Sequence, residues 1–170
     1  PLAMAAAVLH ILNHAVMKSG LFLVAANVRM RTGSSTLDGF VGVGRTMPLT
    51  MASFVLLGLA MVGVPPLVGF FSKFYLAEAA IGTGNWAIFA IVLLSGLLSA
   101  AYMFRVIERA YMTPLTTGVN GKDPNAAGDG RPDVILPILF LAIATLALGL
   151  LNGAVLTDVL EPATMMVKDR

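Results

Sequence analysis

His10, His14 and Lys18 follow one another at i, i+4 and i+8, with Asn13 beside them. On a helix that spacing sets the three groups in one stripe, about 6 Å apart along the axis. Imidazole takes up and gives up a proton near neutral pH, and an amine withdrawn from water loses much of the solvation that keeps it charged. Such a row can hand protons from group to group through intervening water. The alternative is a polar seam that ties helices together by hydrogen bonds. A fourth group, Lys73, ends the run Gly69-Phe70-Phe71-Ser72-Lys73, just after Gly63-Val64-Pro65-Pro66. Paired prolines remove two backbone donors and clash with the preceding turn, so they break a helix. Lys73 then falls in the first turns of a second half-helix, whose positive end opposes its charge. Both this and desolvation favour an amine able to lose and regain its proton. The alternative for Lys73 is a side chain snorkelling to an interface.

These groups matter because of what surrounds them. Of 170 residues, 58% are hydrophobic and 12% charged, where a soluble domain carries about half apolar and a quarter charged residues. That balance argues against a soluble enzyme and a disordered chain and for an all-α, polytopic transmembrane bundle. A net charge of +2 leaves no nucleic-acid footprint, and the absence of cysteine removes disulfides, thiol catalysis and Cys-ligated metals. Residues 46–72, 79–104 and 134–157 carry no charge, and residues 1–28 carry only Lys18. Each stretch supplies the ~20 apolar residues a membrane crossing needs. The spacing predicts four spans: 2–28, then a discontinuous one (48–63, a break, 67–80), then 86–103 with its helix continuing to Tyr111, and 132–151 with a kink at Pro137. The transmembrane domain is placed at 1–153, with an amphipathic tail over 154–170. The chain opens on Pro1 inside an apolar run and so reads as incomplete.

Arg29, Arg31 and Arg45 fall in one loop, and Arg105, Arg109, Lys122 and Arg131 in another; together they are seven of the eleven basic residues. Two crossings separate these loops, so both face the same side. The positive-inside rule makes loops 29–47 and 105–131 cytoplasmic in the cell (inner or plasma) membrane. Residues 113–131, rich in Gly, Asn, Asp and Pro, read as a mobile polar loop. Glu108 is expected to pair with Arg105. Trp86, Tyr102 and Tyr111 read as interface aromatics. Glu78 reads as an interfacial charge or a proton exit. Gly58 and Gly63 are expected at close helix contacts, and the ten methionines are given no role.

Other chemistries are weak. His10 and His14 have metal-ligand spacing, but Ile11 stands where a zinc peptidase needs its glutamate and no third ligand is evident. Gly42-x-Gly44 is too short for a nucleotide loop. No metal and no cofactor is expected.

Taken together, the motifs resemble those of a known family. The run from His10 through Asn13, His14 and Lys18 to Leu23 resembles the H-x-x-N/T-H-A-x-x-K-x-x-L-F-L helix of antiporter-like proton-channel subunits. The run from Gly63 through Pro65, Pro66, Gly69 and Ser72 to Lys73 resembles their G-x-P-P-x-x-G-F-x-S-K-x-x-L broken helix. Arg45-Thr-Met-Pro48 and Ser99-Ala-Ala-Tyr102-Met-Phe-Arg105 also fit. The family comprises pumping subunits of respiratory complex I (NADH:quinone oxidoreductase), of membrane hydrogenases and of Mrp-type sodium/proton antiporters, and the wording is most similar to the Mrp antiporters. Asn27 stands where relatives usually carry glycine. The resemblance implies that Lys73 is a protonation switch exchanging protons with Lys18 through His10 and His14, with Asn13, Ser72 and Glu78 as accessories. It implies neighbouring membrane subunits and the lipid bilayer as partners, protons and, in an antiporter, Na⁺ as cargo, and no redox site in this chain. It implies that this chain is the carboxy-terminal part of a longer subunit, similar to its last four helices; the family's first-repeat glutamate and lysine are absent from it. The rival from another class is a transmembrane packing module whose buried polar groups stay idle.

Overall fold

The computed structural model describes residues 2–113 and 128–154. The tail expected over 154–170, with Asp158, Glu161, Lys168, Asp169 and Arg170, lies outside the described residues save for its first position, as do Lys122 and most of the 113–131 loop. The described residues are helical and contain no strand. Helix α1 spans Leu2–Thr32, a short turn of helix α2 spans Val43–Thr46, α3 Pro48–Val62, α4 Val68–Gly82, α5 Trp86–Tyr111 and α6 Pro132–Leu150. A 3₁₀ turn at Leu37–Phe40 precedes α2, and a last turn, Asn152–Ala154, follows α6. Among the described residues three helices, α1, α5 and α6, are long and apolar enough to cross a membrane.

Local chemistry sets these boundaries. Gly33 ends α1 at φ +76°, a conformation that costs a β-carbon-bearing residue energy but not glycine. Pro48 opens α3 at a position whose N–H would have no helical partner. Gly63 closes it in the left-handed region, at φ +98°, and the amides of Gly63 and Val64 both donate to the Leu59 carbonyl. Pro65 and Pro66 then exclude any continuation. Asn85 caps α5 by accepting a hydrogen bond from the Ile88 amide at 3.2 Å. α6 runs on through Pro137.

The interior is built by α1, α3 and α6, with α4 against α1. Met17, Val24 and Val28 of α1 meet Met51 and Leu57 of α3 and Ile138 and Ala142 of α6, all buried. Gly20 and Gly58 allow the close contacts: a β-carbon at Gly58 would stand 3.1 Å from the Met103 Sδ of α5. Gly63 both ends α3 and lies close to α4, since a β-carbon there would stand 3.3 Å from Lys73 Cδ. α5 lies at the edge. Met103 and Ala110 are its buried residues, and Leu94, Leu97, Leu98 and Phe104 are exposed, as suits a face turned to lipid. Of the methionines, Met17, Met47 and Met51 are fully buried while Met30 and Met112 are exposed.

Two expectations change. Glu108 does not pair with Arg105; the ion pair at that end joins Arg109 to Asp38 of the 3₁₀ turn at 3.7 Å. Both side chains are well exposed, so it contributes little. The last residues of the polar loop are held rather than mobile. Asn27 donates to the Asp129 carbonyl at 2.9 Å and Arg31 Nε to the Gly128 carbonyl at 2.9 Å.

Candidate functional site

α1 presents His10 and His14 on the side facing α4, because Leu9, Asn13 and Met17 are pulled into the interior between them. The two rings stand 5.8 Å apart, centroid to centroid. His10 Nδ1 lies 3.0 Å from the Ser72 hydroxyl of α4, which also donates to the Gly69 carbonyl at 3.3 Å. Ser72 is fully buried. A hydroxyl can donate and accept at once, so it suits a position between an imidazole and a backbone acceptor. Asn13 donates to the Val68 carbonyl at 3.4 Å, at the start of α4. The imidazole stripe on α1 is thereby joined to the first turns of the second half-helix.

Lys73 follows Ser72 and points toward α3. Its ammonium donates to the carbonyls of Met61 at 2.8 Å and Val62 at 3.1 Å. These are orphan acceptors at the C-terminal end of α3, where the helix dipole favours a cation. This modifies the sequence-based picture, in which the positive end of α4 and desolvation acted on the amine. An ammonium has three N–H donors, so one remains. It borders a cavity of about 550 Å³ lined by Gly63, Phe70, Glu78, Phe89 and Gly96 among others. Gly96 on α5 lets the helices approach there, since a β-carbon would stand 3.3 Å from the Val62 carbonyl oxygen and 3.7 Å from Lys73 Nζ. Glu78 is exposed and borders the same cavity.

The four basic groups are not equally enclosed. His10, His14 and Lys73 are half-buried, whereas Lys18, one turn beyond His14, is exposed. Sequence reasoning found these four groups, Asn13 and Ser72, but missed the Met61 and Val62 carbonyls and the space left by Gly96. Backbone acceptors carry no residue signature. The one available clue was Gly63, which ends α3 near enough to leave its carbonyls open to a side chain from α4. Among the described residues, no three His, Cys, Asp or Glu side chains converge as a metal site would require.

Comparison with known proteins gives this geometry a context. A family profile described as NADH:quinone oxidoreductase/Mrp antiporter, TM matches residues 2–99. The chain is 41% identical over 169 residues to NADH-quinone oxidoreductase subunit N of Desulforudis audaxviator, covering 95% of this chain and 34% of that protein. It is 33% identical over 148 residues to a Na⁺/H⁺ antiporter subunit of Alkalihalophilus pseudofirmus, covering 87% of this chain and 29% of that one. Of these two, the oxidoreductase relative has the higher identity, although the motif wording resembles the Mrp antiporters. In the solved structure of the membrane-bound sulfane sulfur reductase, an archaeal respiratory membrane complex, one chain superposes with a TM-score of 0.75 at 28% identity, over 88% of this chain and 24% of that one. The chain thus spans about a third or less of the length of the curated relatives it matches. With an all-helical fold, three helices able to cross a membrane and a family match over more than half its length, the chain is a multi-pass membrane protein of the NADH:quinone oxidoreductase/Mrp antiporter family.

Proposed function

We propose that this chain forms the carboxy-terminal proton-conducting part of a larger membrane subunit, and that protons pass between Lys73 and Lys18 through Ser72, His10 and His14. The observation that carries this reading is the 3.0 Å contact between His10 Nδ1 and Ser72 Oγ. It joins the α1 stripe to the residue beside Lys73. The cavity next to Lys73 supplies room for water on the other side of the amine, and Glu78 stands at its border. α3 and α4 act together as one discontinuous crossing. Each has 15 residues, about 22 Å of helix, which is short of a hydrocarbon core of about 30 Å. Irregular backbone at membrane depth is tolerated where protein buries it or a cavity adjoins it; Gly63 borders the cavity and Leu67 is buried, while Pro65 and Pro66 between them are exposed. Four crossings result, with loops 29–47 and 105–131 cytoplasmic. Residues 1–153 form the domain, partner subunits supply the drive, and the complex moves protons or exchanges them for Na⁺.

A second reading has its own support. The Lys73 bonds to Met61 and Val62 suffice to make Lys73 a structural tie within a packing module. Proton uptake by proteoliposomes carrying the full-length protein separates the two. His10→Leu combined with His14→Leu is expected to slow uptake by about 10-fold or more, since a positioned proton carrier contributes at least that much. Unchanged uptake would favour the packing module.

A further inference from the structure

The end of the polar loop has a role outside the proton path. We propose that Asp129 is a positioning residue that fixes the first turn of α3 and, through that stiff helix, where the Met61 and Val62 carbonyls meet Lys73. The regulatory half of this inference rests on the reading of Lys73 given above.

A helix leaves four N–H groups without helical partners at its start, and those of α3 can all be accounted for. Pro48 has none. The Leu49 amide donates to one Asp129 carboxylate oxygen at 3.1 Å and the Thr50 amide to the other at 2.8 Å. The Met47 amide, the remaining one, donates to the Val43 carbonyl at 2.8 Å. Met47 occupies the cap position without a capping side chain, so the cap comes from 79 to 80 residues farther along the chain. A carboxylate there also matches the positive helix end.

Asp129 is itself anchored. Its carbonyl accepts from the buried Asn27 of α1, which also donates to the Thr50 hydroxyl at 2.9 Å. Arg31 holds the preceding carbonyl. Gly130 lies at φ +100°, and a β-carbon there would approach Asn27 Oδ1 to 3.2 Å. One short segment therefore ties the end of α1, the start of α3 and the start of α6. α1 carries the imidazoles and α3 carries the carbonyls that hold Lys73, so this tie sets the axial position of one against the other. The long connection between α5 and α6 gains a direct mechanical grip on the site.

The test uses the full-length protein in its complex, reconstituted into vesicles, with Asp129→Ala and Asp129→Asn. Asparagine keeps one acceptor oxygen. Asp129→Ala is expected to raise amide exchange at Leu49 and Thr50 by about 10-fold, the effect of losing a good helix cap. It should also displace the midpoint of the transport pH profile, and Asp129→Asn should restore most of both. A merely structural residue would lower the amount of folded protein without moving that midpoint. Unchanged exchange in Asp129→Ala, or raised exchange with an unmoved pH profile, overturns the proposal. Lys73→Arg run alongside separates the two claims: normal transport in that variant overturns the proton path, while the exchange measurement still decides whether Asp129 holds α3.

Discussion

With Lys73 changed to arginine, proton translocation by the full-length protein is expected to fall by about 100-fold or more, the range lost when a positioned proton carrier is removed. The substitution is informative because it preserves so much. Arginine remains a cation with donors to spare, so it can keep bonds to the Met61 and Val62 carbonyls and satisfy the end of α3. It cannot give up its proton under accessible conditions. A structural tie would therefore survive in Lys73→Arg and a proton switch would not. Measurement of proton uptake, with assembly of the complex checked in parallel, decides between them. Normal pumping by an assembled Lys73→Arg complex removes Lys73 from the mechanism.

The second large effect is expected at Gly69. A β-carbon there would overlap the Ala60 carbonyl oxygen, stand 2.8 Å from the Ala60 carbonyl carbon and 3.3 Å from Met17 Sδ. The Met17 thioether can yield, but the Ala60 backbone sits inside α3 and cannot. Gly69→Ala must push α4 away from α3 and α1, at a cost of about 3 kcal/mol or more, the upper end for overpacking a close contact. Ser72 and Lys73 lie three and four residues farther along the same helix, so the shift also stretches the contact to His10. We expect a lower Tm for the full-length protein in detergent and a loss of transport exceeding the loss of folded protein. A Gly69→Ala variant with unchanged Tm would mean that α3 and α4 are not packed in this way.

Much of this arrangement is legible in the sequence, for physical reasons that can be named. Helix ends were readable where single residues dictate backbone geometry, as Gly63, Pro65 and Pro66 do for α3. The neighbouring placement of His10 and His14 was readable because helical spacing alone sets side chains on one face, whereas Lys18, one turn on, is exposed. What could not be read was the contact between elements. Nothing in the residue types around Lys73 says that its amine reaches back to α3, because its acceptors are main-chain carbonyls that any residue supplies. Asp129 was hidden in a Gly- and Asp-rich stretch whose composition suggests a loose loop, and its partners lie 79 to 80 residues away. The expected Arg105–Glu108 pair failed for a related reason. Local spacing permits it, but the ion pair formed at that end uses Arg109 and Asp38, contributed by the connection between α1 and α3.

The central claim is that Lys73 gains and loses a proton as the complex works. The most direct measurement is the nitrogen NMR signal of the Lys73 side chain in the ¹⁵N-lysine-labelled full-length complex, assigned by its disappearance in Lys73→Arg and followed at rest and under turnover. The account predicts two signals, ammonium and neutral amine, whose proportions change when the complex is driven. A single ammonium signal, identical at rest and in turnover, would contradict it.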